Sequence, residues 1–365
     1  MKATFLLTML VGTSLACTRA NTERNSSVPT PVAVAPAQVN ADSILTLAFV
    51  GDIMPGTTYP TVRLPEGDGA SLFKDADTLL RNADIAAGNM EGALVDSGET
   101  TKQKGAMSYS FRIPTRYGKL LSDAGLDFMS MANNHAFDFG LPGVESTEAT
   151  LTTCGIAFAG LKGRQETAIV QRGGVRYGFC AFGHNSYTVK HQEQDEAARI
   201  IRQLKEKVDI VIVSFHGGAE GVKHRHLPKG KEMFLEEDRG SLRDFAHLCI
   251  DNGADVVYGH GPHVARAMEL YKGHLIAYSL GNFCTPYGMN ISGISGYAPL
   301  LEMQINKKDG KFRSGKIHSF VQQSGKGPRT DAQNKVAQEI RALTLEDIDN
   351  PGISISPDGE IVVAQ

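Results

Sequence analysis

Five apolar, strand-like runs in this chain end on residues able to bind a metal ion. SILTLAFVGD (residues 43–52) ends in Gly51-Asp52, and DIAAGNME (84–91) ends in Asn89-Met90-Glu91. DFMSMANNH (127–135) leads into Asn133-Asn134-His135. DIVIVSFHGG (209–218) carries His216 near its end, and DVVYGH (255–260) closes on His260, with His263 three residues on. Short β-branched runs bounded by Gly, Asn or Asp read as buried strands. In α/β sheets, ligands bind beyond the carboxyl ends of the strands. Side chains far apart in sequence can therefore converge on one place.

Helix-like segments lie between these strands. Residues 115–125 have Leu at helical spacing, a capping Thr and a terminal Gly, and residues 141–155 have Pro142 at the start and Gly155 past the end. DEAARIIRQLKEKV is amphipathic, and FLEEDRGSLRDFAHLCIDNG reads as largely helical. Two hairpins are expected, turning at Gly173-Gly174 and at Lys272-Gly273. Alternating strands and helices with hairpins among them predict an α/β domain with mixed sheets. The tail beyond Ser324 is more polar and carries one expected helix over 331–344.

The converging residues are one Asp, one Glu, one Asn and up to four His. A mixed oxygen and imidazole set suits Mn, Fe or Zn, whereas Ca and Mg prefer oxygen alone. The set is too large for one tetrahedral site and is enough for two divalent ions sharing a carboxylate. Lys and Arg number 37 against 40 Asp and Glu, a net charge of −3, so nucleic acid has no electrostatic footprint here.

The N-terminus has the layout of a secretory signal: Lys2, a short apolar run to Gly12, and Ser14-Leu15-Ala16 before Cys17. Leu15-Ala16-Cys17 resembles a bacterial lipobox, which predicts lipidation of Cys17. The expected organisation is a signal peptide over 1–16, a Ser-, Pro- and Ala-rich tether over 17–43, a folded domain over 44–323 and a C-terminal extension over 324–365. Cys154, Cys180, Cys249 and Cys284 match no disulfide framework or metal spacing and read as buried thiols.

The blocks FVGDIMPG, GNMEGAL, MANNHAFDFG, VSFHGGAE and GHGPHVARAMELYKGHLIAYSLGNF stand in the order used by the poly-γ-glutamate capsule synthesis protein family, CapA, which this chain resembles over about 45–283. The resemblance implies the calcineurin-like metallophosphoesterase fold, a four-layer αββα sandwich with a two-metal site. It implies Asp52 and His263 on the first metal, Glu91 as the bridging carboxylate, and Asn134, His216 and His260 on the second. His135 would be the general acid. The chain departs from the wider superfamily in having Met54 where an Asp-x-His block has His, and in spacing His260 and His263 by three rather than two.

Three functions remain open from the sequence. The leading one is a metal-dependent, hydrolase-type site acting on an anionic envelope polymer or its precursor in capsule synthesis, attachment or export. The second is a non-catalytic, lipid-anchored accessory of a membrane synthase complex. KHRHLPKGK (223–231) favours it, with Lys223 and Arg225 expected at the cleft mouth as polymer-binding cations. The third is a metal-dependent, epimerase-type proton abstraction. Asn282, at the end of a hairpin strand, is expected to bind substrate, and Tyr109 and Arg112 could reach the site from SYSFRIP.

Overall fold

The strand Ile44–Ile53 lies inside a ten-stranded sheet because both of its faces are apolar and both are covered. The computed structural model describes residues 44–103 and 109–364. The expected leader, Cys17 and the tether lie outside the described residues. Ile44–Ile53 pairs in parallel with Ile85–Met90 and with Asn282–Cys284, and antiparallel with Tyr297–Asn306. Ile85–Met90 pairs in parallel with Phe128–Ser130. A second sheet has six strands, in which Val175–Phe182, Ile210–His216 and Val256–His260 run parallel to one another.

Residue alternation along the strands builds the layers. Leu47 and Phe49 face the second sheet and join Tyr177, Phe179, Ile212 and Tyr258 in a shared core. Phe128 stacks on Phe179 with ring centroids 4.1 Å apart, and Phe49 meets Tyr258 at 4.6 Å. Ala48 and Val50 face outward, towards Leu80 of α1 (Asp77–Asn82), Leu121 of α2 (Gly118–Ala124) and Leu151 of α3 (Gly140–Thr153). On the second sheet, Val211, Val213 and Val257 face Ile201 and Leu204 of α4 (Gln194–Lys205) and Phe245 and Cys249 of α5 (Leu242–Asp251). Each large apolar side chain buried this way contributes about 1.5–3 kcal/mol. The result is the expected αββα order, with two mixed sheets face to face.

Two segments differ from the sequence reading. Residues 234–240, expected in a helix, belong to a hairpin formed by Glu232–Phe234 and Glu237–Gly240. Leu235 and Glu236 make its tip at φ 48° and 65°, and Gly240 at φ 92° breaks the chain before α5. The stretch after Ser324, read as an extension, supplies Gly327–Thr330, Ile353–Ile355 and Glu360–Val363 to the large sheet. Between them, α6 (Lys335–Asp347) packs Val336, Ala337 and Ile340 into the core between the sheets. All four cysteines in the described residues are free thiols; Cys154 is half-buried and the other three are buried.

Candidate metal centre

The parallel strands of both sheets end at one place, and there the polar residues meet. Asp52, Glu91 and His216, all buried, offer donor atoms within 4.8 Å of one another. Two close approaches of backbone make this convergence possible. A Cβ on Gly51 would sit 2.0 Å from the carbonyl oxygen of Gly281, so only glycine lets the Asp52 strand meet the Asn282 strand. A Cβ on Gly261, at φ 114°, would strike the Gly217 carbonyl at 2.5 Å.

The two carboxylates share one donor. Asn89 Nδ2 donates to Asp52 Oδ1 at 2.9 Å and to Glu91 Oε2 at 2.5 Å. Asn133 holds that amide in turn, donating to Asn89 Oδ1 at 3.0 Å and to the Met90 carbonyl at 2.8 Å. The imidazoles come from the second sheet. His216 and His260 are register partners on neighbouring strands. His216 Nε2 lies 3.3 Å from Glu91 Oε2, and His260 Nδ1 lies 3.5 Å from Asp52 Oδ1. His263, at φ 56°, brings Nδ1 to 2.8 Å from Asp52 Oδ2.

The electrostatics of this cluster follow from burial and proximity. Burial holds the His216 imidazole down at about 3 and His260 at about 4, so both are neutral and keep free nitrogen lone pairs. Burial, then the charge of Asp52, pushes Glu91 up to about 7. For Asp52, burial alone would raise the value, but the His263 hydrogen bond and nearby imidazoles outweigh it and hold the carboxyl below its ordinary range. Burial also opposes charge on His263, and the contact with Asp52 wins, raising it to about 10.

A metal fits these residues on structural grounds. Glu91 Oε1, Asn134 Oδ1 and both ring nitrogens of His216 and of His260 are buried with no hydrogen-bond partner. Native proteins seldom leave so many buried polar atoms unpaired together. Two carboxylates and two neutral imidazoles with open lone pairs form a donor set for a borderline divalent ion.

Beside the cluster lies a cleft of about 540 Å³, lined by Lys102, Asn134, His135, Tyr187, Glu220 and Arg239, with Tyr109 also reaching it. His135 Nε2 points towards the carboxylates, 3.8 Å from Glu91 Oε1. Its Nδ1 lies 2.8 Å from Asp138 Oδ2, and Lys102 Nζ lies 2.6 Å from the other Asp138 oxygen. Asp138 is fully buried and also accepts from the Phe111 backbone N–H at 2.7 Å. Asp138, Lys102 and Arg239 had no assigned role in the sequence reading. The only local signal was Asp138, three residues after His135.

The basic segment stands elsewhere. Lys223 lines a separate pocket with His224, His226 and Leu227. Arg225 Nε lies 3.7 Å from Glu339 of α6, while His226 pairs with Asp347 and Lys229 with Asp349. Neither Lys223 nor Arg225 lines the cleft beside the carboxylates. Arg112 is spent on the Thr58 and Gly98 carbonyls. Asn282 sits beside Asp52 in register, inside the cluster and not in the lining of the cleft.

PGA biosynthesis protein CapA of Bacillus subtilis is 28% identical over 267 residues, covering 68% of this chain and 65% of the relative. Capsule biosynthesis protein CapA of Bacillus anthracis is 27% identical over 274 residues, covering 70% of this chain and 63% of the relative. The chain thus spans less than two thirds of the length of these relatives. A crystal structure described as a novel phosphatase from Mycoplasma pneumoniae overlaps 77% of this chain and 94% of its own at 13% identity and a TM-score of 0.46. The sequence model of the bacterial capsule synthesis protein PGA_cap matches residues 46–287, a span holding every donor of the cluster. A match over well over half the chain shows that the protein belongs to the bacterial capsule synthesis protein PGA_cap family.

Proposed function

We propose that this chain is an exported, metal-dependent, hydrolase-type protein of the bacterial cell envelope, acting on a capsule or poly-γ-glutamate-type polymer or its precursor. The observation that carries this reading is the cluster of buried donors without partners around Asp52, Glu91, His216 and His260. Asp52 and His263 would hold one divalent ion, and Asn134, His216 and His260 a second, with Glu91 between them; the donor types suit Mn, Fe or Zn. A bound ion of this kind supplies Lewis acidity, activating water near neutral pH and polarising the bond to be cleaved.

The chain's own groups do the rest. Asp138 fixes the His135 ring through Nδ1, which leaves Nε2 facing the reacting centre as the atom that gives a proton to the leaving group. Lys102 neutralises Asp138 and keeps that carboxylate from drifting off the ring. A positioned acid of this kind is worth about 10²–10⁴ in rate. Tyr187 and the Phe234 side of the hairpin wall the cleft and limit bulk water. Asn89 keeps the two carboxylates at a fixed separation.

The test pairs Asp52→Ala with His216→Ala. Metal content by plasma mass spectrometry should fall in both, and hydrolysis should be lost, assayed in parallel on phosphodiesters and γ-glutamyl peptides. Variants with full metal content and full activity end this reading. The names of the relatives, a PGA biosynthesis protein and a capsule biosynthesis protein, support a part in making such a polymer, and a place beside its synthase goes with that reading. Lys2, the apolar run and Cys17 support export and a lipid anchor. Mass spectrometry of the mature N-terminus should find a diacylglyceryl Cys17, and an unmodified Cys17 removes the anchor.

A further inference from the structure

We infer that Asn282 is an oxygen ligand on the Asp52 side of the metal centre, which makes this side the richer in oxygen and the better suited of the two to Mn²⁺. This rests on the metal-binding reading above and goes beyond it, since Asn282 read from sequence as a substrate-binding residue.

Three observations carry the inference. The first is register. Asn282 is the partner of Asp52 across a parallel ladder, and partners in a ladder present their side chains on the same face. The second is the orientation of the amide. Its Nδ2 faces three backbone carbonyls, those of His263 at 3.2 Å, Ser295 at 3.2 Å and Asn290 at 3.4 Å. A flipped amide would set its oxygen against three acceptors with no hydrogen between them, so the side-chain oxygen is fixed on the opposite side. The third is that this oxygen, Oδ1, is buried and has no partner, on a residue only 1% exposed. A purely structural asparagine needs its N–H groups here and gives no use for the oxygen.

The amide is also tied to His263, the residue whose ring meets Asp52 Oδ2. Asp52, Asn282 and Glu91 then offer oxygen on this side against one imidazole, His263. The other side offers two imidazoles, His216 and His260, with the Asn134 oxygen and a share of Glu91. An oxygen-rich set with one imidazole suits Mn²⁺, whereas added imidazole favours Zn²⁺. The Asp52 side therefore discriminates less against Mn²⁺ than the other side does.

The experiment titrates the metal-stripped full-length protein with Mn²⁺ alone and with Zn²⁺ alone, counting bound ions by EPR for Mn²⁺ and by equilibrium dialysis for Zn²⁺. Wild type should bind two Mn²⁺. Asn282→Ala should weaken one of them at least tenfold while changing Zn²⁺ at the other position less than threefold, and Asn282→Asp, which keeps an oxygen, should stay within threefold of wild type for Mn²⁺. A folded Asn282→Ala protein that binds both Mn²⁺ as wild type does overturns the inference and leaves the metal reading intact. Wild type that binds neither ion overturns both. Should neither Asn282 variant fold, pulsed EPR decides on Mn²⁺-loaded Asn134→Ala protein grown with carboxamide-¹³C asparagine. A resolved carbon coupling is expected, and its absence overturns the assignment.

Discussion

Glu91→Gln should stabilise the metal-free protein and at the same time remove its response to metal. Glu91 is fully buried, a few ångströms from Asp52, and its carboxyl is pushed from an ordinary 4.5 to about 7, first by burial and then by the Asp52 charge. At ~1.4 kcal/mol per pH unit, ionising it in the folded protein costs roughly 3 kcal/mol. The sign follows from linkage. Below pH 4.5 the carboxyl is protonated in both states and costs nothing. Between 4.5 and 7 the unfolded chain releases the proton and the folded one keeps it, so stability falls as pH rises, and above 7 the full cost persists. Gln has the same shape, accepts the Asn89 hydrogen bond and carries no charge. Urea unfolding in EDTA should therefore show the variant about 3 kcal/mol more stable than wild type at pH 8 and nearly equal to it at pH 4.5. Saturating Mn²⁺ at 100 times its dissociation constant should add about 2.7 kcal/mol to wild type. It should add under about 1 kcal/mol to the variant, whose amide is a poor bridge between two cations. A variant less stable than wild type in EDTA at both pH values refutes the electrostatic argument. Equal metal stabilisation of the two proteins refutes the role of Glu91 as a ligand.

Other parts of the fold give sharper stability tests. Burial holds His191 down at about 3, so between pH 6.5 and 3 the unfolded chain takes up a proton that the folded protein refuses. Thermal and urea melts should lose about 1.4 kcal/mol per pH unit of acidification from this residue, and His191→Leu should flatten that slope; an unchanged slope counts against the buried neutral imidazole. Arg266 is fully buried and meets Glu232 with two contacts of 2.8 Å, so Arg266→Ala should cost about 3–5 kcal/mol in urea unfolding, and the double change to Arg266→Met and Glu232→Met should recover much of it. A loss below about 1 kcal/mol for the single variant counts against an uncompensated Glu232. Gly51→Ala should destabilise by about 3 kcal/mol or more because its Cβ would meet the Gly281 carbonyl at 2.0 Å, and a melt within 1 kcal/mol of wild type counts against that clash.

The strands and their polar ends were legible because burial writes itself into sequence. Leu47 and Phe49 against Ala48 and Val50 are all apolar, as a strand covered on both faces requires, and the break to Gly51-Asp52 marks where the buried apolar run gives way to the polar site. The hairpin over 232–240 was not legible. Its tip uses Leu235 and Glu236 in the left-handed region, where glycine or asparagine would have announced a turn, and Leu235, Glu236 and Glu237 are good helix formers. Asp138 stood inside a block already singled out, three residues from His135, yet a lone Asp after a strand is more often a turn former or helix cap, so spacing alone gave it no role. Lys102 reaches His135 from a segment 33 residues upstream, and no local pattern records that meeting. Lys223 and Arg225 misled for the same reason in reverse. They follow His216 closely in sequence, but the acidic groups that answer the segment, Glu339, Asp347 and Asp349, come from α6 and the turn after it.

The division of donors between the sheets has a consequence for how the fold and the site depend on each other. Asp52, Glu91 and Asn134 come from the large sheet, where parallel strands end beside one another. His216 and His260 come from the second sheet, as register partners. The donor atoms of Asp52, Glu91 and His216 lie within 4.8 Å of one another, and His260 Nδ1 lies 3.5 Å from Asp52 Oδ1, so carboxylates of one sheet face imidazoles of the other. Apolar packing holds the sheets together along Phe49, Tyr258, Phe128 and Phe179, but that core stops where the polar ends begin. At this end, Coulomb repulsion between Asp52 and Glu91 and the open lone pairs of His216 and His260 work against closure. A cation held by these residues would offset each of these terms: it would screen the two carboxylates, use the lone pairs and link strands of both sheets. Metal binding would therefore tighten the contact of the two sheets at their carboxyl ends, and the same residues that cost the metal-free protein stability would give the loaded protein its site.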